Sequence, residues 1–182
     1  MLCESGRAFR HWWAPAMIVL ETSRLRLRHL TVDDAAFMLT LLNDPSFHAN
    51  IGDRGVRTLD DARRFLQAGH LASYERNGYG HYVVELKRDD TPIGTCGLIK
   101  RDFIGEIDLG FAYLPAYWSQ GYATEAATAV MDYGRNTLGI QRIVAVVSPG
   151  NTGSIRVLEK LGLKYAGLTR LAADAEYIHL YS

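Results

Sequence analysis

The length, composition and charge of the chain indicate one folded domain with no dominant electrostatic partner. Its 182 residues suffice for a single domain with a full core and are too few for two comfortable ones. Hydrophobic residues make up 48% of the chain, charged residues 22%, and the formal net charge is zero, which excludes intrinsic disorder and a nucleic-acid-scale positive field. The two cysteines and six histidines show no ligand or redox spacing, so no metal site is predicted and a reducing cytoplasm is the expected setting.

The first sixteen residues are predicted to be a loose extension of a domain that occupies residues 17–182. The run "WWAPAMIVL" resembles the apolar core of a signal peptide, but it is too short to span a bilayer and no small-x-small cleavage site follows it. We therefore expect no membrane segment, and Met17 offers an alternative start.

The first half of the domain mixes strand and helix signals. A strand is predicted at residues 18–29, with its alternate leucines facing inward. Thr31 and Thr58 are the predicted N-caps of two helices, because acidic residues and then apolar residues at helical spacing follow each of them. Three alternating segments between residues 79 and 114 predict an antiparallel meander.

The second half contains two strand-loop-helix junctions. A helix is predicted at residues 121–138, and the β-branched run "RIVAVV" predicts a buried strand. A short helix follows and ends at Gly162, and two final strands complete the chain. The order of elements indicates a mixed α+β domain without internal repeats.

The first junction, "YWSQGYATEAATAV" at residues 117–130, is typical of an anion-binding site. A helix that opens on Gly121 and small residues exposes unpaired backbone N–H groups at the positive end of the helix dipole. An ordinary glycine-containing helix start is the alternative for this loop taken alone. The second junction covers residues 147–155, and both loops border one cleft if the strands before them are neighbours that diverge.

Four stretches of the chain share a pattern with a known family. They are "ETSRLRLRHLTVDD", "PIGTCGLI", "IDLGFAYLPAYWSQGYATEA" and "NTGSIRVLEKLGLKYAG", in the family's order over residues 18–182. In these stretches the chain resembles the GNAT N-acetyltransferases, specifically the branch of ribosomal-protein N-terminal acetyltransferases of RimJ and RimL type. The resemblance implies a single-domain α+β fold whose central mixed, mostly antiparallel sheet of about seven strands is flanked by about four helices. That sheet would be splayed around an acetyl-CoA cleft.

The resemblance also implies which residues contact acetyl-CoA. In this family the loop around Gly121 holds the pyrophosphate through backbone N–H groups, and a Cβ there would block the ligand. Trp118 stands where the commoner motif has Gln or Arg, a small departure because the contacts are made by the main chain. Asn151 would reach the pantetheine arm, and an N-cap of the last helix is its alternative role. The implied set is Phe111, Ala112, Tyr113, Trp118, Ser119, Gln120, Gly121, Tyr122, Ala123, Thr124, Asn151 and Ser154.

Acetyl transfer to an amine needs a base, an oxyanion donor and an exit for the thiolate. Asp108 aligns with the family's acidic position and Glu106 lies on the same strand face, although both could be solvated strand residues. A backbone N–H within residues 110–112 is the expected oxyanion donor. Ser154 is the third catalytic candidate because Leu158 replaces the family's proton-donating Tyr, and a helix-start hydroxyl bonded to the backbone is its alternative role.

The resulting expectation is an acetyl-CoA-dependent N-acetyltransferase that acts on a primary amine, either a protein or peptide N-terminus or a small molecule. A catalytically idle acyl-CoA-binding module is the alternative. The expected partners are acetyl-CoA and the amine acceptor, without nucleic acid or membrane, in a monomer or homodimer. The segment "FHANIGDRGVRT" is expected to help build the acceptor pocket. Arg24, Arg26 and Arg28 are interpreted as a solvated strand face.

Overall fold

The computed structural model describes residues 17–182, and the predicted extension at residues 1–16 lies outside them. The strands are β1 (Ile18–Glu21), β2 (Leu25–His29), β3 (His81–Leu86), β4 (Pro92–Arg101), β5 (Glu106–Tyr113), β6 (Ile143–Val147), β7 (Tyr165–Thr169) and β8 (Ile178–Tyr181). They form one sheet in the order β1-β2-β3-β4-β5-β6-β8-β7, in which only β5 and β6 pair in parallel. The expected mixed, mostly antiparallel sheet is confirmed, with eight strands in the described residues rather than about seven.

Helices cover both faces of this sheet. They are α1 (Ala35–Leu42), α2 (Pro45–Asn50), α3 (Leu59–Phe65), α4 (Ala72–Asn77), α5 (Tyr122–Asn136) and α6 (Thr152–Lys160). A π-helical segment, Leu66–Leu71, joins α3 to α4. The helix starts predicted at Thr31 and Thr58 are found there, and each threonine forms a capping box with an aspartate three residues later.

Two local features differ from the sequence prediction. The single strand predicted at residues 18–29 is a hairpin of β1 and β2, because the Thr22 hydroxyl accepts a hydrogen bond from the Leu25 N–H (3.0 Å) and turns the chain. The turn-rich segment before residue 58 contains α2, which Asp44 caps through the Ser46 N–H and which starts with Pro45.

Each face of the sheet buries its own apolar cluster. One cluster joins Leu25, Leu27 and their neighbours to the small residues of α5, and both leucines are fully buried as predicted. The other cluster packs α1 and α3 against the opposite face around Val83. The sheet therefore carries α5 on one face and the α1–α3 layer on the other.

The sheet splits between β5 and β6. The two strands pair only at Ile107 with Ile143 and at Asp108 with Val144, and they diverge beyond that point. The Asp108 carboxylate accepts a hydrogen bond from the Val146 N–H (3.1 Å), so a side chain occupies the place where the next backbone partner would lie. The two junction loops follow these diverging strands, which is the condition for a shared cleft.

Candidate active site

The two junction loops enclose a cavity of about 530 Å³, which we name the loop cavity. One wall runs from Trp118 to Thr124 and the other from Gly150 to Lys160. Every residue of the implied acetyl-CoA set except Gln120 lines this cavity. Gln120 lies in the same loop, where its amide donates to the Ala116 carbonyl (3.0 Å).

The start of α5 leaves backbone N–H groups without partners in the helix. Gly121 is the N-cap in a left-handed conformation (φ 83°) and offers no side-chain cap. The first helical hydrogen bond runs from the Glu125 N–H to the Gly121 carbonyl (3.0 Å), so the N–H groups of residues 122–124 precede it. The loop before it is fixed by the Trp118 indole, which donates to the Tyr113 carbonyl (2.7 Å). This geometry fits an anion, because it presents oriented donors at the positive end of a helix dipole.

Arg24 contacts this loop although its side chain is exposed (46%), as expected for a solvated strand face. Its guanidinium donates to the Gln120 carbonyl (3.0 Å), pairs with Glu125 (2.7 Å) and lies over the ring of Tyr122 (4.5 Å to the centroid). The interpretation as a solvated face is wrong for Arg28, which is paired with buried Asp34 and Glu85. An alternating arginine pattern in the sequence could not distinguish these contacts from a solvent-facing row.

A second cavity of about 500 Å³ lies on the sheet face that α1, α2 and the π-helical segment cover, and we name it the sheet cavity. It shares wall residues with the loop cavity: Phe47, Asn50, Ile51, Phe111, Ala112, Asn151 and Ser154. Several residues of the segment "FHANIGDRGVRT" line the sheet cavity, and their expected role in an acceptor pocket stays a prediction. The two cavities therefore meet where β5 and β6 separate.

The structure places the two candidate carboxylates differently. Asp108 lines the sheet cavity and is fully buried, with one oxygen on Arg101 Nε (2.8 Å) and the other on the Val146 N–H. Desolvation raises the pKa of Asp108, and the Arg101 charge acts in the opposite direction. Glu106 lies at the first residue of β5 beside Arg142 (3.4 Å) and lines neither cavity. Asp108 is therefore not the solvated strand residue considered as its alternative.

The hydrogen-bond alternation along β5 selects one N–H within residues 110–112. The Leu114 N–H donates to the Ile93 carbonyl of β4 (3.0 Å). Because backbone N–H groups alternate in direction along a strand, those of the even-numbered residues of β5 point to β4 and those of the odd-numbered residues point to β6. Phe111 is a β6-facing residue beyond the last β5–β6 pair, so its N–H points into the split. The strand separates here from β6, while its register with β4 stays continuous.

The second junction brings Asn151 and Ser154 to both cavities. Asn151 is the N-cap of α6, and its side-chain oxygen accepts from the Ser154 N–H (3.1 Å). The Ser154 hydroxyl makes no hydrogen bond with the described residues, so the helix-start role considered for it is not found. Leu158 is 1% exposed and lines the sheet cavity, where it offers no proton.

Sequence reasoning did not identify four basic groups of the sheet cavity: Arg54, His70, His81 and Arg101. They come from the loop after α2, the π-helical segment, β3 and β4, and they share no sequence spacing, so only the folded chain brings them together. Within residues 17–182 no group of three histidine, cysteine or acidic side chains is placed to hold a metal ion. No helix in that range is long and apolar enough to cross a membrane.

A family model described as an acetyltransferase (GNAT) domain matches residues 24–164. This chain belongs to the GNAT family. The uncharacterized N-acetyltransferase p20 of Bacillus licheniformis is 32% identical over 155 residues, which cover 85% of this chain and 86% of that protein. The expected family and the expected enzyme class, an N-acetyltransferase, are thereby confirmed.

Solved GNAT structures share the fold over nearly the whole described chain. An acetyltransferase from Agrobacterium tumefaciens matches with a TM-score of 0.74 and 28% identity, covering 97% of this chain and 98% of that one. A RimL ribosomal L7/L12 alpha-N-protein acetyltransferase in complex with coenzyme A matches with a TM-score of 0.76 and 16% identity, covering 91% and 96%. The RimL likeness shows a common fold, and its coenzyme A complex shows that this fold binds the cofactor.

Proposed function

We propose that this GNAT protein transfers the acetyl group of acetyl-CoA directly to a primary amine, on a protein or peptide N-terminus or on a small molecule, in a ternary complex. The observation that carries the proposal is the meeting of the two cavities at Phe111, Ala112, Asn151 and Ser154. A donor in one cavity and an acceptor in the other would have their reacting atoms side by side, which is the main requirement of a two-substrate reaction.

In this proposal the loop cavity takes acetyl-CoA. The N–H groups at the start of α5 would hold the pyrophosphate, and Asn151 would meet the pantetheine arm. Acetyl-CoA supplies the acetyl group as a thioester. The Phe111 N–H would donate to the carbonyl oxygen, because it points into the split with no strand partner there.

Direct transfer is preferred to an acyl-enzyme because the described residues offer no accessible thiol. Their one cysteine, Cys96, is fully buried in β4, and burial raises the pKa of its thiol. For the leaving group, Ser154 is the hydroxyl-bearing residue that lines both cavities, and a thiolate leaves well near neutral pH even without an acid. We retain Asp108 as a site residue that fixes the split, since both of its oxygens are occupied.

The acceptor is proposed to have an apolar body and no dense positive charge. The sheet cavity is walled largely by aliphatic and aromatic side chains, and Arg54 and Arg101 supply positive charge. The acids that could have attracted a polycation are engaged elsewhere: Asp44 caps α2, Asp53 pairs with Arg57 and Asp60 pairs with Arg63. Electrostatics therefore disfavour polyamine and aminoglycoside acceptors.

The test is coenzyme A thiol release across a panel of amino acids, arylalkylamines, polyamines, aminoglycosides and N-terminal peptides. The proposal expects at least one amine to accelerate thiol release well above the rate with water. The second candidate, an idle acyl-CoA-binding module, predicts tight acetyl-CoA binding with no amine-dependent release. A cytoplasmic setting and a monomeric or homodimeric state remain predictions, to be checked by fractionation and by mass measurement in solution.

A further inference from the structure

His81, the first residue of β3, has a ring nitrogen without a partner. Its Nε2 is shielded from solvent and makes no hydrogen bond with any described residue. The residue also lines the sheet cavity. A buried polar atom left unpaired is destabilising, and a polar group of a ligand that paired with it would remove that penalty. The feature therefore points to a polar group of a ligand as the partner of this nitrogen.

Two glycines make room for His81, one for its backbone and one for its ring. His81 lies opposite Gly97 of β4, and Gly97 lies opposite Gly110 of β5, so the three residues form one row across the sheet. A Cβ on Gly110 would lie 2.6 Å from His81 Nε2, and a Cβ on Gly97 would lie 2.5 Å from the His81 Cα. The ring therefore rests against the bare backbone of β5, on the same sheet face as Asp108.

The groups that surround His81 keep its ring neutral. Burial holds the pKa of His81 well below its usual range, and the nearby His70, Arg101 and Arg54 lower it further. His70 stacks on it from the π-helical segment (centroids 5.7 Å apart), and burial lowers the pKa of His70 to about 4. Asp108 of β5 does not oppose this effect, since its carboxylate is bound to Arg101 and the Val146 N–H.

We propose that His81 accepts the proton of the acceptor amine during acetyl transfer. The amine lone pair forms the new C–N bond, one amine proton moves to Nε2, and the C–S electron pair leaves on sulfur. Solvent protonates the thiolate, and His81 returns its proton to solvent once the product has left. A weak base suffices here, because the N–H proton becomes acidic as the nitrogen lone pair is committed to the bond.

The location of His81 favours it over Asp108 for this step. Its Nε2 lies at Gly110, one residue before the proposed oxyanion donor Phe111, so an amine attacking a carbonyl held by Phe111 would lie within reach of the ring. Asp108 would have to give up a hydrogen bond before it could accept a proton. The inference rests on the proposed acetyl transfer and assigns its base.

The experiment measures turnover and acetyl-CoA binding in matched variants, with the best amine of the panel as the probe. His81→Gln is expected to lower kcat about 10²-fold or more, while the acetyl-CoA thermal shift stays unchanged. His29→Gln is the control, since His29 is a partly buried histidine of β2 that stacks on Tyr74 and lines neither cavity. In His81→Ala, added imidazole should restore part of the turnover, which a purely structural role would not allow.

Two further measurements keep the inference open to disproof if His81→Gln does not fold. Gly110→Ala should lower kcat by moving the ring, because its Cβ would overlap Nε2. In the wild-type protein, ¹⁵N spectra of the side chains should show a neutral His81 from pH 8 to pH 6. Normal turnover of folded His81→Gln, or an imidazolium at pH 7, would overturn this inference and leave acetyl transfer intact. Failure of every amine in the wild-type enzyme would instead overturn both.

Discussion

Gly121 meets a backbone requirement in the wall of the loop cavity. Its positive φ costs a side-chain-bearing residue about 1–2 kcal/mol, and a Cβ there would lie 3.4 Å from the Arg24 guanidinium at the mouth of the loop cavity. Gly121→Val is therefore expected to abolish the acetyl-CoA thermal shift in a folded protein. Gly139→Val is the matched control, because Gly139 also has a positive φ but open surroundings and lines neither cavity. A preserved shift in folded Gly121→Val would move the cofactor site elsewhere.

Arg24 contacts the loop at residues 118–124, the proposed pyrophosphate site, from a neighbouring hairpin. It contacts Gln120, Tyr122 and Glu125, so its removal should loosen the N–H groups proposed to hold the phosphates. We expect Arg24→Ala to weaken acetyl-CoA binding about tenfold, in line with the loss of a charge-assisted contact. S-acetylpantetheine, which lacks the pyrophosphate, should be used equally well by both proteins. Arg26→Ala is the control, and an equal loss with both substrates would show that the effect is not at the phosphates.

Asp108 and Glu106 differ enough in burial to be separated by matched amide variants. Asp108→Asn removes a buried charge from Arg101, so it should lower the melting temperature and the turnover together. Glu106→Gln loses a longer contact to Arg142 and should change both little. A large turnover loss in Asp108→Asn with unchanged stability would favour Asp108 as the proton acceptor, against the assignment to His81.

At the scale of elements, hydrogen bonds to the Glu125 carboxylate connect the hairpin of β1 and β2 to the start of α5. Glu125 accepts hydrogen bonds from the Thr22 hydroxyl (2.6 Å), the Ser23 hydroxyl (3.1 Å) and the Arg24 N–H (3.0 Å). Desolvation alone would raise the pKa of Glu125, but these hydrogen bonds outweigh it and hold the pKa below its usual value of 4.5. The ionised form is therefore the one that the fold stabilises.

This depressed pKa predicts a pH dependence of stability. The contribution of Glu125 should be complete above pH 4.5, the usual pKa of the unfolded chain, and should disappear as pH falls through the lower folded value. Denaturant unfolding of wild type and Glu125→Gln should therefore differ at pH 7 and converge in acid. A difference that stayed constant down to low pH would contradict this origin of the stabilisation.

The elements that the sequence predicted well are those with long periodic signals or strong caps. Thr31 and Thr58 mark their helices by local chemistry, and the meander is marked by alternation over many residues. The six-residue α2 is too short for periodicity to show, and the π-helical segment has no local signature that separates it from an α-helix. The imidazole of His81 was missed because its environment depends on glycines from two other strands.

At the scale of the whole molecule, the formal net charge is zero, but the charged groups around the sheet cavity are unevenly distributed. Asp108 is neutralised by Arg101, and Arg54 forms no ion pair with any described residue. Desolvation and the charge of Arg101 lower the pKa of Arg54, so an anion brought by a ligand would be favourable there. If the sheet cavity takes the acceptor, as proposed, we expect that acceptor to be an amine that carries a carboxylate on an apolar body.

This charge distribution predicts how efficiently different amines are acetylated. L-Phenylalanine should be acetylated about tenfold more efficiently than 2-phenylethylamine, which has the same body without the carboxylate, and spermidine should be the poorest. Arg54→Gln should remove most of the preference for phenylalanine and leave the rate with 2-phenylethylamine nearly unchanged. Arg57→Gln is the control, because Arg57 lies in the same loop but pairs with Asp53 and lines neither cavity. If 2-phenylethylamine or spermidine were preferred and Arg54→Gln had no effect, the charge argument would be wrong although the transfer reaction would stand.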